Sequence, residues 1–482
     1  MDNSTSLFTD FYSLTMAQGY WKNKRQERVV FEMFYRHQPY NGGYSIFAGL
    51  QTFLEKLSNF SFSDDDIDYL KSLKTFEDGF ISYLKTFSFN GTIWAMDEGT
   101  VVFPHEPLVR AEGNLVECQI IEGMLLNIIN FQSLIATKSC RVWLASGKST
   151  VMEFGLRRAQ GPDGAISASR AAYIGGASGT SNTLAAKIFG IPAMGTMAHS
   201  WVMSFDSEEE AFDAYAALYP DRAVFLIDTY DTLKSGIKSA INSGKKLALQ
   251  GKNFGVRLDS GDIQYLSTEV RRLLDNAGLN KAFITVSNDL DEYIIETLVK
   301  EHAPVDSWGV GTRLVTGGNA VSFAGVYKLS AIQKKPGSDY TPVMKFSDNP
   351  DKTTNPGVKQ VWRIKDKAGS AVADVMSVDD GCDDPKEGNS YSFWHPSADY
   401  RHFSYIIDGS VQPLLKKCVE DGKLICNEKT LAEIKANAVT NLESFDSTYK
   451  RLLNPHIYKV SITGRLRALK LDLIQKYFGS RQ

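Results

Sequence analysis

Residues 254–289 decide the fold class of this chain, and they read FGVRLDSGDIQYLSTEVRRLLDNAGLNKAFITVSND. A short apolar run ends in a polar turn at 257–262, and the amphipathic stretch that follows predicts a helix over 263–276. A second apolar run, Ile284–Val286, ends in another polar turn. Strand, helix and strand in this order are typical of a parallel sheet whose strands are joined by helices.

The same pattern recurs on both sides of this stretch, from about residue 140 to 330. Apolar runs end again in small or polar residues at GGASGTSN (175–182), IPAMGTMAHSW (191–201), AVFLIDT (223–229) and WGVGT (308–312). Six or seven such units, each with polar residues after its strand, favour a closed α/β barrel. An open sheet would gather its polar residues at one switch point.

The two ends of the chain lack this repeat and predict a second, α+β domain. We expect a barrel domain over 131–334 and an N-terminal domain over 1–130, completed by residues 335–482. Outside the barrel, the patterns predict strands at 29–35, 343–346, 360–364 and 371–376, helices from about Ser45 and over 115–137, and a helical tail over 428–479.

The composition is ordinary for a globular protein and excludes several classes of partner. The chain has 482 residues and a formal net charge of −3, so no overall positive charge attracts nucleic acid or an anionic membrane. The most apolar segment, 123–136, contains Asn127 and Asn130 and is too short to span a bilayer. We therefore expect neither nucleic acid nor membrane as a partner.

The cysteines and the N-terminal residues favour a cytoplasmic protein. The five cysteines form no CxxC pair, which argues against a disulfide framework and against a zinc site. Residues 1–6, MDNSTS, lack the basic and apolar regions of a signal peptide.

Candidate ligand-binding residues stand at the predicted strand ends. EFGLRR (153–158) supplies two guanidinium groups, and the glycine-rich runs 175–182 and 309–312 supply accessible backbone N–H groups, both suited to phosphate. Arg257 and Asp259 lie on the same side of an extended segment, so they could share a pocket or form a salt bridge at a barrel rim.

Two other strand ends are less informative by themselves. His199, one of only seven histidines, follows an apolar run, where a histidine is more often structural than catalytic. Asp228 and Thr229 follow another such run but lack paired acids, so we interpret 223–229 as a core strand. The GxxxxGK[ST], GxGxxG, HExxH and GxSxG motifs are absent. Cations, phosphate-binding loops, carboxylates and a histidine together indicate a phosphosugar enzyme.

Ordered segments along the chain resemble the nicotinate phosphoribosyltransferase family, in the barrel-fold (type II) branch. The matching segments are LFTDFYSLTMAQGYW, FEMFYR, GGYSIFAGL, EFGLRRAQGPDG, GGASGTSN, GTMAHSW, GVRLDSGD, VSNDLDEY, GVGTRLVTG and YKL, between residues 7 and 329. The tail at 455–477 also fits, and 330–440 matches least distinctively. The resemblance implies an irregular, TIM-like α/β barrel with a second α+β domain built from both chain ends.

This resemblance implies an activity and its cofactors. The family joins nicotinate to 5-phosphoribosyl-1-diphosphate, giving nicotinate mononucleotide and diphosphate for NAD biosynthesis and salvage. The reaction is coupled to ATP hydrolysis, requires Mg²⁺ and takes place in a homodimer. The ligands of the Mg²⁺ stay unassigned.

Roles for individual residues follow from the same resemblance. His199 would be the residue phosphorylated by ATP. Nicotinate would contact Thr196, Arg257 and Tyr12, the last contributed by the partner subunit. The remaining expected contacts are Gly311 and Thr312 with the ribose-phosphate donor, Asp259 with the ribose, and Phe154 and Arg157 with the pyridine and phosphate sites.

Ser181 bears on the choice between nicotinate and nicotinamide. Nicotinamide enzymes of this branch carry an Asp at the corresponding position, which can accept a hydrogen bond from an amide. At about 4 Å from a substrate carboxylate, an Asp would cost on the order of 4 kcal/mol at an effective dielectric near 20. A serine at this position removes the repulsion and favours nicotinate.

Three alternatives stay open at this point. The first is an enzyme that uses nicotinamide, and the second is a different phosphosugar barrel enzyme, such as an isomerase or aldolase, that needs no ATP. The third is a catalytically inactive barrel that serves as a binding or scaffold protein.

Overall fold

A computed structural model describes residues 6–24, 26–349 and 352–479. Two compact units divide the chain: one comprises the described residues through Leu134 and from Ser322 onward, and the other is Ile135–Val321. Residues 1–5, which contribute to the prediction that a signal peptide is lacking, lie outside the described residues. None of the described helices combines the length and apolar character that crossing a membrane requires.

The N-terminal part of the first unit contains short helices and the first five strands. A helix was expected from about Ser45, but Ser45 and Ile46 pair with Val102 and Val101 as strands, and the helix begins at Leu50. The elements are α1 (Phe11–Asn23), β1 (Arg28–Tyr35), β2 (Ser45–Ile46), α2 (Leu50–Ser58), α3 (Asp64–Ser72), α4 (Asp78–Lys85), β3 (Thr92–Ala95), β4 (Val101–Val102), β5 (Val109–Asn114), α5 (Leu115–Ile120) and α6 (Glu122–Ala145), whose C-terminal part enters the second unit.

The second unit alternates strands and helices as the sequence predicts. Its elements are β6 (Thr150–Glu153), α7 (Gly161–Ile174), β7 (Gly179–Thr180), α8 (Thr183–Phe189), α9 (His199–Met203), α10 (Glu208–Leu218), β8 (Val224–Leu226), α11 (Ile237–Leu249), β9 (Gly255–Leu258), α12 (Ile263–Asn276), β10 (Phe283–Val286), α13 (Glu292–Lys300), β11 (Ser307–Val310) and α14 (Thr312–Val315).

Six parallel strands of this unit form a sheet in the order β7-β6-β11-β10-β9-β8. A parallel bridge between Thr180 and Ala193 adds a seventh, very short segment beside β7. The strands are almost completely buried because side chains cover them on both faces, as parallel sheets require. This curled sheet with its surrounding helices confirms the predicted α/β barrel, in an irregular form.

The C-terminal part returns to the first unit, which is α+β and built from both chain ends as predicted. Its elements are β12 (Gly325–Gln333), β13 (Thr341–Pro342), β14 (Lys359–Lys365), β15 (Ala371–Val378), β16 (Ser390–Trp394), β17 (His402–Ile406), β18 (Val411–Pro413), β19 (Lys416–Glu420), β20 (Lys423–Leu424), α15 (Leu431–Glu443), β21 (Val460–Ile462) and α16 (Gly464–Phe478).

Two sheets organise this first unit. One has the order β13-β12-β1-β5-β3-β19-β20, and the other has the order β17-β16-β21-β15-β14-β18. β12 pairs along its whole length with β1 and therefore belongs to this unit. The chain thus enters the unit at Ser322, before β12, and not after residue 334 as the sequence patterns had suggested.

Two details of the C-terminal part differ from the sequence-based expectation. The predicted strand at 343–346 is wrong, because Lys345 N–H donates to the Thr354 hydroxyl (3.0 Å) and the strand ends at Pro342. The tail is not wholly helical, because Val460–Ile462 pairs with β15 between the two helices.

Candidate functional site

A cleft of about 430 Å³ lies at the carboxyl ends of the barrel strands. The carboxyl ends of parallel strands share one edge of a barrel, so residues far apart in sequence meet there. The lining residues are Phe154, Arg157, Arg158, Ser181, Gly195, Thr196, Met197, Ala198, His199, Arg257, Asp259, Ser287, Asn288, Asp289, Leu290, Gly309, Gly311, Thr312 and Arg313.

Nine of the ten predicted site residues line this single cleft: His199, Asp259, Phe154, Arg157, Thr196, Arg257, Ser181, Gly311 and Thr312. The tenth, Tyr12, belongs to the other unit, where it lies on α1 with 48% of its surface exposed.

Arg257 is the most deeply placed cation of the cleft. It lies on β9, and its Nη1 donates a hydrogen bond to the Thr196 hydroxyl. Burial lowers the pKa of Arg257, although the carboxylates of Asp259 and Asp228 act in the opposite direction. Its Nε is buried and makes no hydrogen bond to the residues that the structure describes. A guanidinium that has lost water without full compensation is prepared for an anionic ligand.

His199 begins α9 and is held from two sides. Its Nδ1 lies 3.1 Å from the Thr229 hydroxyl, and its Nε2 lies 3.7 Å from Asp259 Oδ2. Ser287 donates a 2.5 Å hydrogen bond to the other carboxylate oxygen of Asp259. The imidazole and the carboxylate are each partly exposed to the cleft. Arg257 and Asp259 each have their own hydrogen-bond partner. The alternative in which they form a salt bridge at the barrel rim is therefore not needed to explain where they lie.

Asp228 does not line the cleft but supports a residue that does, and sequence reasoning missed this role. Its Oδ2 accepts hydrogen bonds from Asp259 N (3.0 Å) and from the Ser260 hydroxyl (2.5 Å), which fixes the loop after β9. Its Oδ1 is buried without a partner among the described residues. The interpretation of 223–229 as a core strand is therefore wrong for its last two residues. The sequence did contain a signal for Asp228. Like the assigned site residues, it directly follows an apolar run that predicts a buried strand.

A buried hydrogen-bond network shapes the loop after β6. The Glu153 carboxylate accepts hydrogen bonds from Ser169 (2.8 Å), from Thr180 (2.6 Å) and from the backbone N–H of Gly155. In addition, Ser181 N–H donates to the Glu153 carbonyl (2.9 Å). This network ties β6, α7 and β7 together and sets the positions from which Phe154 and Ser181 reach the cleft.

The glycines at 175 and 176 have a packing role. A Cβ on Gly175 would lie 2.2 Å from the Ala136 carbonyl, and one on Gly176 would lie 2.7 Å from the Trp143 ring. Of the run 175–182, only Ser181 lines the cleft. The prediction that this run presents its glycines to a phosphate is therefore wrong for these two residues, which let α6 approach the end of α7.

The charge of the lining favours anions. Four arginines (Arg157, Arg158, Arg257 and Arg313) face two aspartates (Asp259 and Asp289). Arg158 and Arg313 were not among the assigned site residues, although both follow predicted strand ends. Asn288, also in the lining, has φ 108°, a strained conformation that is characteristic of functional loops.

Comparisons with known proteins agree with this geometry. The nicotinate phosphoribosyltransferase (NAPRTase) family model matches residues 149–386, and models of the N-terminal and C-terminal domains match 7–130 and 358–470. A nicotinate phosphoribosyltransferase of Bacillus subtilis is 39% identical, over 98% of this chain and 96% of that protein. Nicotinate phosphoribosyltransferase 1 of Arabidopsis thaliana is 36% identical, over 96% and 92%.

A solved structure extends the agreement to the whole fold. The crystal structure of human nicotinic acid phosphoribosyltransferase superposes with a TM-score of 0.83 at 30% identity, covering 96% of this chain and 99% of that one. With domain models that span most of the chain and relatives that match it from end to end, the chain belongs to the nicotinate phosphoribosyltransferase family.

Proposed function

We propose that this protein condenses nicotinate with 5-phosphoribosyl-1-diphosphate, giving nicotinate mononucleotide and diphosphate, in a reaction coupled to ATP hydrolysis through phosphorylation of His199. The observation that carries the proposal is the cleft itself, where nine predicted residues and an excess of arginines meet. This activity would serve the biosynthesis and salvage of NAD in the cytoplasm.

The pyridine carboxylate is assigned to Arg257 and Thr196. Arg257 is half-buried, its Nε is buried without a partner among the described residues, and its hydrogen bond to Thr196 fixes its orientation. A charge-assisted hydrogen bond from such a guanidinium stabilises a bound carboxylate by roughly 1.5–3 kcal/mol. Phe154, which packs against Gly309, offers a ring face beside this site.

The transfer itself exchanges one bond at C1 of the ribose. The lone pair of the nicotinate ring nitrogen forms the C1–N bond while the C1–O bond breaks, and that electron pair leaves with the diphosphate. Positive charge develops on the sugar in such a step, and the Asp259 carboxylate would offset it. Arg157, Arg158 and Arg313 would receive the negative charge of the donor and leaving group.

His199 is assigned to energy coupling. If Nδ1 carries the ring proton and donates a hydrogen bond to the Thr229 hydroxyl, the lone pair resides on Nε2. That lone pair would attack the γ-phosphorus of ATP, and the bond to the β–γ bridging oxygen would break to release ADP. Hydrolysis of the resulting phosphohistidine would return the imidazole and release phosphate.

Mg²⁺ is the metal that this chemistry needs, and the cleft is compatible with it. Among the described residues no group of three or more His, Cys, Asp or Glu side chains gathers to hold a metal. Mg²⁺ is commonly bound by one or two carboxylates together with substrate phosphates, so a full protein cage is not required. Asp259 and Asp228, whose Oδ1 lacks a partner among the described residues, would hold it. When bound, it would neutralise phosphate charge.

Tyr12 completes the proposed nicotinate site from a second copy of the chain. Its position on α1, in the other unit, and its exposed ring are compatible with a contact across a homodimer interface. A dimer is therefore part of this proposal, and sedimentation measurements together with a Tyr12→Ala variant would examine it.

Product analysis tests the proposed function. The protein is incubated with nicotinate or nicotinamide and the ribose donor, with and without ATP, and pyridine nucleotides are quantified for wild type and His199→Ala. We expect nicotinate mononucleotide, stimulation by ATP and acid-labile protein phosphate in wild type, and neither stimulation nor phosphate in the variant. Full ATP-stimulated turnover by His199→Ala would overturn the assignment of the histidine, and preferred turnover of nicotinamide would overturn the assignment of the substrate.

A further inference from the structure

A second cavity, of about 600 Å³, lies wholly within the unit formed by the chain ends, between residues 395 and 461. Six side chains that can carry positive charge line it: His395, Arg401, His402, Arg451, His456 and Lys459. No Asp or Glu occurs among the described residues that line it. In a chain whose formal net charge is −3, such a one-signed lining is unusual and favours a multiply charged anion.

Two carboxylates on neighbouring segments are paired mainly with arginines outside the lining, although Asp399 also interacts electrostatically with His402. Asp399 forms a bidentate pair with Arg467 (2.5 and 2.6 Å), and Asp374 is buried against Arg363. By contrast, the guanidinium groups of Arg401 and Arg451 make no hydrogen bond or ion pair within the described part of the chain.

Several of these side chains are held in place before any ligand binds. Lys459 Nζ lies 4.8 Å from the centre of the Phe403 ring, and the His456 ring packs on Tyr449 at 5.1 Å. His395 Nδ1 accepts from the backbone N–H groups of Ser397 (3.2 Å) and Ala398 (3.1 Å), so a neutral ring carries its proton on Nε2 as a donor. Side chains fixed in this way lose less conformational entropy on binding.

We propose that this cavity binds a polyphosphate anion, and that it does so independently of the reaction described above. Two or more phosphate groups match the number of cations, since each arginine can hold a phosphate with paired N–H donors. The cavity volume suits a nucleotide-sized ligand. Phe403, Pro455 and Ile457 add an apolar surface beside the cations, on which a nucleoside could pack.

Calorimetric titration of the full-length protein tests this proposal, with inorganic triphosphate and ATP as separate probes in metal-free buffer. All proteins carry Arg157→Ala, which weakens anion binding in the barrel cleft. We expect the double variant Arg401→Ala/Arg451→Ala to weaken binding of both probes by at least about tenfold, because two charge-assisted contacts are lost. The charge-matched control Lys335→Ala/Lys386→Ala removes two exposed cations elsewhere in the same unit and should change the dissociation constant less than about twofold.

The two probes separate the sources of the polyphosphate. If ATP binds more tightly than triphosphate, the nucleoside packs on the apolar surface of the cavity. If the two bind equally, the cavity recognises the polyphosphate alone. Unchanged affinity in Arg401→Ala/Arg451→Ala, or an equal loss in the control, would overturn the proposal. Nicotinate turnover of Arg401→Ala/Arg451→Ala with Arg157 intact should match that of wild type, so loss of this site and failure of the proposed reaction are distinguishable.

Discussion

Thr229 Oγ1 lies 3.1 Å from Nδ1 of His199 and links the loop after β8 to the start of α9. This contact fixes the orientation of the imidazole beside Asp259. Because the hydroxyl occupies Nδ1, the ring nitrogen that faces Asp259 is Nε2.

Removal of this hydroxyl should therefore weaken energy coupling. We expect Thr229→Val to reduce ATP-dependent phosphorylation of the protein by about 3- to 10-fold, the value of one hydrogen bond, while leaving ATP-independent turnover nearly unchanged. Phosphoprotein formation from labelled ATP measures the effect, and Thr229→Ser, which keeps the hydroxyl, should retain wild-type levels. Equal phosphorylation in Thr229→Val and wild type would exclude a positioning role for the threonine.

Arg257 should determine the affinity for nicotinate. A lysine keeps the charge but loses the planar set of donors that can bind Thr196 and a carboxylate together, so Arg257→Lys should raise KM for nicotinate by about tenfold or more. Steady-state kinetics at saturating ribose donor measure this change. The exposed Arg222 provides a control, and Arg222→Lys should leave KM as it is.

Ser181 should determine selectivity between the two pyridines. In Ser181→Asp, repulsion between two carboxylates should lower kcat/KM for nicotinate by about two to three orders of magnitude, with a much smaller effect on nicotinamide. Ser181→Asn introduces similar volume without charge and should lose far less. If Ser181→Asp used nicotinate as well as wild type does, the residue would have no part in selectivity.

The buried hydrogen bonds that the Glu153 carboxylate accepts should contribute measurably to the stability of the protein. Glu153→Gln converts one acceptor oxygen to a donor, so either the Gly155 N–H or the two hydroxyls of Ser169 and Thr180 lose their buried acceptor. The expected loss is about 1–3 kcal/mol in the free energy of unfolding, measured with urea. Glu296, on the surface of α13, offers the matched substitution, and Glu296→Gln should change stability by less than about 0.5 kcal/mol.

Lys470 should give the first unit a distinct pH dependence. Burial lowers the pKa of Lys470 from 10.5 to about 8. Between these two values the unfolded chain binds more protons than the folded one, so this group adds stability as the pH rises from 8 to 10. Wild type should gain unfolding free energy relative to Lys470→Met over this range. Lys386→Met, at an exposed site, should show no such difference, and parallel curves for Lys470→Met would contradict the prediction.

Much of the fold follows from local patterns in the sequence. The run 254–289 alone predicts a strand, a helix and a strand, and the structure places β9, α12 and β10 there. Because parallel strands share one edge, residues after successive strands could be expected to meet, and nine assigned residues do. These inferences succeed because periodicity and strand ends are properties of adjacent residues.

Other features depend on contacts between residues far apart in the chain. Gly175 and Gly176 resemble a phosphate loop in sequence, yet they admit Ala136 and Trp143 of α6. Asp228 and Thr229 resemble the end of a core strand, yet they hold the loop after β9 and the imidazole of His199.

The sequence by itself therefore determined the α/β architecture, the family and the set of strand ends that form the cleft. Only the tertiary structure decided which glycines pack against a helix, which polar side chains position others, and that β12 joins the strands of the chain ends. The physical reason is that a side chain's role depends on the partner that meets it, and that partner is brought near by the fold and not by the adjacent sequence.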